Sequence, residues 1–277
     1  MPTSDAALAT PGLTAFIGGG NMARSLIAGL RRQGRPGDSL VVVEPVEAQR
    51  AALTAEFGVQ AFADAAEIAA SADLLVLAVK PQLMEPVCRA LARNLKTDAL
   101  LISIAAGIPC AHLSEWLGTP CIVRSMPNTP ALLGAGATGL YAPPTVTAEQ
   151  RLAAEAVLRS AGVTVWIEDE NLMDVVTALS GSGPAYFFLL VEALVSAAVT
   201  QGLPREAAET LARHTALGAA RMLVEGGEDA AELRRRVTSP GGTTHAAVSR
   251  FQADGFEAGV AAAVDAAVRR GRALAGA

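Results

Sequence analysis

The order of its secondary structure is the feature of this sequence that most restricts its fold. In the first half, short apolar runs rich in β-branched residues alternate with alanine-rich stretches of helical length. The predicted strands are Leu13–Ile17, Leu40–Val43, Leu74–Val79, Leu100–Ile104 and Cys121–Ser125, and the predicted helices between them include Met22–Gln33, Val46–Phe57 and Glu85–Leu95. Strands that are apolar on both faces and joined by helices form parallel sheets through right-handed crossovers. The first half therefore predicts an α/β domain with a mostly parallel sheet.

The second half has a different character. Gly136–Tyr141 and Val163–Ile167 predict further strands, and Thr147 with Gln150 forms a capping-box pattern that begins a helix running to about Ala161. Beyond Glu168–Asn171 only helices are predicted: Leu172–Leu179, Pro184–Gln201, Arg205–Glu225, Ala230–Val237, Thr244–Asp254 and Val260–Leu274. We therefore predict an α/β domain over residues 1–168 and an all-helical domain over residues 169–277.

The most apolar run of the chain is Pro184–Thr200, which offers no broad polar face. Glu192 interrupts this run, and it falls short of the ~20 residues that a bilayer-spanning helix needs, so we interpret it as a buried helix and predict no membrane contact. A helix that is apolar all round must be enclosed by protein. Because the helical domain is small, the sequence predicts a homodimer formed through that domain.

Composition and charge exclude several classes of function. With 22 basic and 27 acidic residues the net charge is −5, and no basic tract is interleaved with aromatic residues, so we predict no nucleic-acid partner. The cysteines are Cys88, Cys110 and Cys121, and the histidines are His112, His214 and His245. Their spacing matches neither a disulfide framework nor a metal site, and reduced thiols favour a cytoplasmic location. The segment Met1–Gly12 lacks the pattern of a signal peptide.

A glycine-rich segment directly follows the first predicted strand. Gly18, Gly20 and Ala23 match G-x-G-x-x-A at the start of the first predicted helix. The first glycine permits a tight turn, the second lets the backbone approach a pyrophosphate, and the small third residue lets helix and strand pack closely. Free N–H groups and the helix dipole bind the anion. The segment predicts a Rossmann-like dinucleotide site, and a purely structural turn is the alternative.

The end of the second strand bears on the choice of coenzyme. Glu44 stands where an acidic residue usually accepts a hydrogen bond from the ribose 2′-OH of NAD. A 2′-phosphate would instead favour an arginine, and Arg50 in the following helix is a candidate. The alternative interpretation is that Glu44 is only a solvent-exposed residue at the end of a strand. The sequence therefore does not decide between a ribose 2′-OH and a 2′-phosphate.

Further strand ends carry candidate site residues, because ligands of open α/β sheets lie at the carboxyl ends of the strands. Ala78–Gln82 and Ile104–Gly107 follow two such strands, and the small residues of Ile104–Gly107 let a planar ring approach. Arg124–Pro130 follows the next strand, where prolines on either side of Asn128 would hold its amide in place. A surface lysine at Lys80 and a rigid turn around Asn128 are the ordinary alternatives.

Two segments of the helical half also draw attention. Thr238–Thr244 has paired glycines followed by threonines ahead of a helix, which predicts N–H donors for a carboxylate, an interhelical turn being the alternative. The serines of Ser180–Pro184 suggest a nucleophile, but the segment does not match G-x-S-x-G and has no evident His/Asp partner. We interpret Ser180–Pro184 as the entry to a helix.

Taken together, these segments resemble the pyrroline-5-carboxylate reductase family over nearly the whole chain. The most specific pieces are Ala78–Gln82, Met126–Pro130, Leu179–Tyr186 and Val237–Thr244. The resemblance implies a Rossmann domain followed by a helical dimerisation domain, with dimers often assembled into larger rings. It also implies the reduction of 1-pyrroline-5-carboxylate to L-proline, the last step of proline biosynthesis, with NADPH as coenzyme and NADH possible.

The resemblance further implies which residues form the site. The coenzyme would contact Ile17, Gly18, Gly19, Gly20, Asn21, Met22, Glu44, Ala78, Val79, Lys80, Pro81, Ile104, Ala105, Ala106 and Gly107, with Asn128 near the nicotinamide. The substrate carboxylate would be held by Ser239, Gly242, Thr243 and Thr244, and the hydroxyl of Thr244 would face the ring nitrogen as the catalytic group. Two departures weaken an NADPH assignment: the pair Glu44-Pro45 replaces small or basic polar residues, and an asparagine that some members have near Ala65 is missing.

Two rival functions are less well supported. A β-hydroxyacid-dehydrogenase-like enzyme resembles this chain in overall plan, but such enzymes use an interior lysine of the helical domain. The two lysines here, Lys80 and Lys96, lie in the N-terminal half. A dinucleotide-sensing or scaffold protein would have no need of the donor-rich segment Ser239–Thr244.

Overall fold

The first part of the chain is built on one eight-stranded sheet. The structure, a computed structural model, describes residues 12–275, so the expected absence of a signal peptide at Met1–Gly12 lies almost wholly outside the described residues. The strands are β1 (Thr14–Ile17), β2 (Leu40–Val43), β3 (Gln60–Phe62), β4 (Leu74–Leu77), β5 (Leu100–Ser103), β6 (Ile122–Met126), β7 (Gly136–Tyr141) and β8 (Gly162–Trp166). Their order is β3-β2-β1-β4-β5-β6-β7-β8.

The sheet is mostly parallel, as predicted. The pairs from β3 across to β6 are all parallel, β7 runs antiparallel to β6, and β8 is parallel to β7. The order of β1 to β6 is that of doubly wound dinucleotide-binding folds. The predicted α/β domain with a mostly parallel sheet is therefore confirmed.

Helices cover both faces of the sheet. They are α1 (Asn21–Arg32), α2 (Glu47–Phe57), α3 (Ala66–Ala69), α4 (Pro81–Leu91), α5 (Cys110–Leu117) and α6 (Ala148–Arg159). Successive side chains of a strand point to opposite faces. Phe16 of β1 accordingly packs in one core cluster with Leu26 of α1, and Ile17 packs in the other with Met84 of α4. This arrangement explains why the central strands are apolar on both faces.

The main differences from the sequence prediction are short or displaced elements. Three elements, β3, α3 and α5, were not predicted. β3 has only three residues and its first, Gln60, is exposed, so it lacks the apolar run of a buried strand. α4 begins at Pro81 rather than Glu85, because Lys80 is extended and proline suits the first helical position. The capping box is confirmed: Thr147 and Gln150 exchange side-chain-to-backbone hydrogen bonds at the start of α6.

After β8 the described residues form helices only. They are α7 (Met173–Val176), a π-helical segment that we call the π turn (Thr177–Gly181), α8 (Gly183–Thr200), α9 (Arg205–Glu225), α10 (Ala230–Arg236), α11 (Thr243–Ala253) and α12 (Phe256–Ala275). By contacts, Gly183–Ala266 is one compact unit, and the preceding residues with the end of α12 from Ala267 are the other. The boundary between residues 1–168 and 169–277 stays a prediction.

The apolar helix α8 is exposed in the single chain. Phe187, Phe188 and Leu189 are 68%, 67% and 66% exposed. The helical stretch Glu170–Thr200 is long and apolar enough to span a membrane, with a mean hydropathy of 1.6, and 11% of its most apolar window is buried. One chain alone therefore does not bury this helix, so the predicted burial depends on a partner that covers its apolar face.

Candidate functional site

The turn between β1 and α1, Gly18–Gly20, which we call the glycine turn, has the backbone geometry that its sequence predicts. Gly18 has a φ of +103°, and its N–H donates to the carbonyl of Val43 at 2.8 Å. A Cβ on Gly18 would lie 2.7 Å from the carbonyl oxygen of Ala78, so no other residue fits there without strain. Gly20 precedes α1, and a Cβ on it would meet no atom within 4 Å. The turn thus presents open backbone at a helix N-terminus.

The glycine turn borders a cavity of about 660 Å³. This volume is within the ~300–1,000 Å³ typical of ligand and cofactor sites. Of the predicted coenzyme residues, the lining includes Ile17, Gly18, Gly19, Gly20, Glu44, Ala78, Val79 and Lys80. It does not include Asn21, Met22, Pro81, Ile104, Ala105, Ala106, Gly107 or Asn128. The cavity therefore brings together the ends of β1, β2 and β4.

Glu44 is a buried carboxylate that accepts a backbone hydrogen bond from the glycine turn. It is 8% exposed. Its Oε2 accepts the N–H of Gly19 at 3.0 Å, and its Oε1 accepts the N–H of Val46, also at 3.0 Å. Arg50, the candidate for contact with a 2′-phosphate, donates hydrogen bonds to the backbone carbonyls of Glu44 and Pro45. The cavity wall at this point consequently presents a negative charge.

Sequence reasoning missed the far wall of the cavity. Ala63–Ala66 follow β3 at the carboxyl edge of the sheet, and Leu83, Val87, Ala90 and Leu91 come from one face of α4. The helical spacing of the α4 residues was a usable signal. The residue pattern did not show the contribution of Ala63–Ala66, because it depends on β3, which that pattern did not predict, and only the family resemblance pointed to the position near Ala65.

The predicted residues after β5 and β6 lie at the same carboxyl edge but outside the cavity. Ile104–Gly107 follow β5, whose neighbour β4 leads into Ala78. Asn128 follows β6 and is 8% exposed. Its Nδ2 donates to the carbonyl of Ser180 at 3.0 Å, and its Oδ1 accepts the N–H of Ala137 at 2.9 Å. The amide of Asn128 is thus engaged by protein groups on both sides.

The predicted carboxylate site stands at the start of α11. Gly241 has a φ of +74°, and the N–H of Gly242 donates to the carbonyl of Ser239 at 3.0 Å, which closes a tight turn with Pro240 at its second position. The N–H of Gly242 is therefore already used. Gly242, the N-cap of α11, has no side chain that could cap the helix, so the geometry of the Thr243 and Thr244 N–H groups is suited to an anion.

Among the described residues, two buried thiols and the possible metal ligands give no sign of nucleophilic or metal chemistry. Burial raises the pKa of the Cys88 thiol to about 12. Burial, with the Glu170 carboxylate as a lesser cause, raises the pKa of the Cys110 thiol to about 12. Both thiols are therefore protonated at neutral pH and unreactive. Within the described part of the chain, no group of three or more His, Cys, Asp and Glu side chains has metal-binding geometry.

Comparisons with known proteins cover both halves of the chain. The family model described as pyrroline-5-carboxylate reductase dimerisation matches residues 170–274. The model described as NADP oxidoreductase, coenzyme F420-dependent, matches residues 14–107.

Individual relatives match at full length. Pyrroline-5-carboxylate reductase of Pseudomonas aeruginosa is 53% identical over 269 residues, which cover 97% of this chain and 98% of the relative. The solved pyrroline-5-carboxylate reductase of Coxiella burnetii is 41% identical, with a TM-score of 0.91 over 96% of this chain and 98% of its own. The Plasmodium falciparum pyrroline carboxylate reductase, solved with NADP bound, is 29% identical, with a TM-score of 0.83 over 95% of this chain and 98% of its own.

Proposed function

Because the chain belongs to the pyrroline-5-carboxylate reductase family, we propose that it binds a nicotinamide dinucleotide at the glycine turn and the carboxylate of its substrate at the start of α11. The chain is an oxidoreductase that reduces 1-pyrroline-5-carboxylate to L-proline, the last step of proline biosynthesis. The observation that carries the coenzyme site is the open backbone at Gly20 beside a cavity of about 660 Å³.

The proposed coenzyme contacts follow the carboxyl edge of the sheet. Toward the phosphates and adenosine they are Ile17, Gly18, Gly19, Gly20, Asn21, Met22, Glu44, Ala78, Val79, Lys80 and Pro81. Toward the reactive ring they are Ile104, Ala105, Ala106 and Gly107. The bound dinucleotide supplies the hydride, so this chain's residues need only bind and orient the reactants and exclude water.

The substrate is a cyclic imine that carries a carboxylate. The uncapped N–H groups of Thr243 and Thr244 and the hydroxyl of Ser239 are suited to that carboxylate, while Gly242 keeps the backbone close. The protonated imine is already electrophilic, and reduction removes its positive charge. A hydroxyl both donates and accepts hydrogen bonds, so Thr244 Oγ1 can hold the ring nitrogen in either protonation state. No strong side-chain acid is needed.

Replacing Thr244 tests this assignment. We expect T244A to lower kcat/KM for 1-pyrroline-5-carboxylate by roughly 10–100-fold, the effect of one lost oriented hydrogen bond, with coenzyme affinity unchanged. T244S should restore most of the activity, and T54A, at an exposed position of α2, serves as the control. The assay follows NAD(P)H oxidation at 340 nm. Unchanged kinetics in T244A would remove Thr244 from the mechanism.

For the coenzyme, we propose that NADPH is used and that Glu44 limits the preference for it over NADH. A buried carboxylate suits a ribose 2′-OH and repels a 2′-phosphate. Two unit charges ~5 Å apart interact by about 3 kcal/mol at an effective dielectric of ~20, and salt reduces this. We therefore expect E44Q to raise the ratio of kcat/KM for NADPH to that for NADH by roughly 5–100-fold.

The matched control for E44Q is E47Q, because Glu47 is exposed in the first turn of α2 and does not line the cavity. The comparison requires steady-state kinetics with both coenzymes at one ionic strength. An unchanged ratio in E44Q, or an equal change in E47Q, would contradict the role given to Glu44.

The exposed face of α8 supports a proposal about assembly. We propose a homodimer through the helical domain, with dimers able to form a larger ring, and a cytoplasmic location in which Cys88 and Cys110 stay reduced. The chain mass is 28.3 kDa. Light scattering coupled to gel filtration should give a multiple of the dimer mass, and a monomer at micromolar concentration would overturn the proposal.

A further inference from the structure

A proline removes a backbone hydrogen-bond donor near the start of α8. Ser180 stands four residues before Pro184. In a regular helix the carbonyl of one residue accepts the N–H of the fourth residue after it. Proline has no N–H and its ring crowds that carbonyl, so the carbonyl of Ser180 lacks its α-helical donor. The chain departs from α-helical geometry at this point, in the π turn, whose hydrogen bond runs from Ser182 N–H to the Thr177 carbonyl at 2.8 Å.

Asn128 supplies the missing donor. Its Nδ2 lies 3.0 Å from the carbonyl oxygen of Ser180. Its Oδ1 accepts the N–H of Ala137 at the start of β7 at 2.9 Å. One buried amide therefore ties the π turn to the sheet, and both of its polar ends are used. The hydrogen bond is partly buried, so loss of the Asn128 donor would leave the Ser180 carbonyl with less access to water than an exposed carbonyl has, which is destabilising.

The π turn is held against the carboxyl end of β6. A Cβ on Gly181 would lie 2.5 Å from Cε of Met126, the last residue of β6. The π turn therefore lies directly against the side chain of Met126. In doubly wound folds the two sets of strands bind the two halves of the dinucleotide, and β4 to β6 form the second set. The π turn therefore stands at the edge that receives the reactive ring.

We propose that Asn128 is a positioning residue, whose amide replaces the donor that Pro184 lacks and so fixes the π turn beside the reactive end of the coenzyme. This inference rests on the proposed function. Asn128 acts through the π turn and needs no direct contact with the coenzyme or the substrate. Loss of the contact frees the π turn to move, which misaligns the reactants while leaving the glycine turn and its cavity as they are.

A double-mutant cycle tests the structural part without any activity measurement. P184A returns an N–H at the position whose α-helical acceptor is the carbonyl of Ser180. N128A should therefore destabilise the P184A protein less than it destabilises the wild type, while the loss of the Ala137 contact is common to both backgrounds. The readout is the urea midpoint of N128A, P184A, the double variant and the wild type. N94A, at an exposed asparagine after α4, is the control. An equal shift by N128A in both backgrounds would overturn the proposal.

Kinetics test the positioning part. We expect N128A to lower kcat about tenfold, equivalent to about 1.4 kcal/mol, with the coenzyme dissociation constant changed less than about twofold. N128D keeps an acceptor for Ala137 but has no donor for Ser180, so it should be at least as impaired as N128A. Activity of N128D equal to the wild type, or loss of coenzyme affinity in step with kcat, would overturn the proposal. Absence of pyrroline-5-carboxylate reduction in the wild type would instead refute the proposed function and leave the stability cycle intact.

Discussion

Gly18 and Gly20 are two residues apart in one turn, yet the structure predicts opposite effects for the same substitution at each. Gly18 has a φ of +103°, and a Cβ there would lie 2.7 Å from the Ala78 carbonyl oxygen and 3.0 Å from its carbon. Left-handed backbone costs an L-residue about 1–2 kcal/mol, and the clash with backbone adds to this. We expect G18A to lose about 2–4 kcal/mol of stability, and at ~2–4 °C per kcal/mol its Tm should fall by roughly 5–15 °C.

For Gly20 the same change should leave stability nearly untouched. Its φ is −70°, and a Cβ would meet no atom within 4 Å. Alanine is a weaker helix N-cap than glycine by under ~1 kcal/mol, so the Tm of G20A should stay within about 3 °C of the wild type. The added methyl group, however, occupies the space through which a pyrophosphate approaches the backbone. We expect the coenzyme dissociation constant to rise at least ~10-fold, a loss of about 1.4 kcal/mol.

The two variants are compared by differential scanning fluorimetry with and without coenzyme, and by calorimetric titration of NADPH and NADH. The wild type should gain Tm on adding coenzyme, because ligand binding to the native state stabilises it. G20A should start near the wild-type Tm and gain little. If G20A binds coenzyme as tightly as the wild type, the glycine turn is not the pyrophosphate site. If G18A is as stable as the wild type, the argument from its backbone geometry is wrong.

Two further predictions concern stability. Asp73 accepts hydrogen bonds from Lys96 and from the N–H of Leu13, and these contacts lower the pKa of its carboxyl group. The stabilising contribution of Asp73 is therefore present above the unfolded-state pKa of about 3.9, and it is lost as pH falls through the lowered native pKa. The stability difference between wild type and D73N, from urea unfolding at pH 6 down to pH 2.5, should therefore shrink toward low pH, and a constant difference would contradict this. A Cβ on Gly29 would lie 2.1 Å from the Ser160 carbonyl oxygen. G29A should therefore lower the free energy of unfolding by about 3 kcal/mol or more, because it forces α1 away from the end of α6. A G29A protein with a Tm close to that of the wild type would disprove this contact.

The parts of this fold that the sequence predicts are those fixed by neighbours along the chain. The glycine turn, the capping box at Thr147 and the buried strands each carry their own signal within a few residues. β3 carries none, because it is short and its first residue is exposed. β3 is positioned by its parallel pairing with β2, which continues in the hydrogen bond from the N–H of Glu44 to the carbonyl of Phe62 at 2.9 Å. The cavity wall formed by the residues after β3 was therefore the part that the strand pattern did not predict.

Asn128 is another residue whose local geometry can be predicted from the sequence but whose long-range partner cannot. The prolines on either side of it predict a fixed amide, and that prediction needs only local chain stiffness. What the amide holds is a carbonyl at Ser180, 52 residues later in the chain. Pro184 alone did not reveal that partner, because a proline in the first turn of a helix leaves no helical hydrogen bond unmade. The missing donor matters here because the π turn runs almost directly into α8. The identity of the replacement donor required the fold.

In the helical half, the apolar sequence of α8 is explained by burial in an oligomer rather than by burial within one chain. Burying a large apolar side chain contributes about 1.5–3 kcal/mol. Phe187, Phe188 and Leu189 are each about two-thirds exposed, so one chain alone realises little of that stabilisation. Their exposure follows from the contacts of Gly183–Ala266, where α8 packs on α9 along one side. A partner that covers the remaining face therefore completes the core of this unit, and the stability of the helical half should depend on protein concentration.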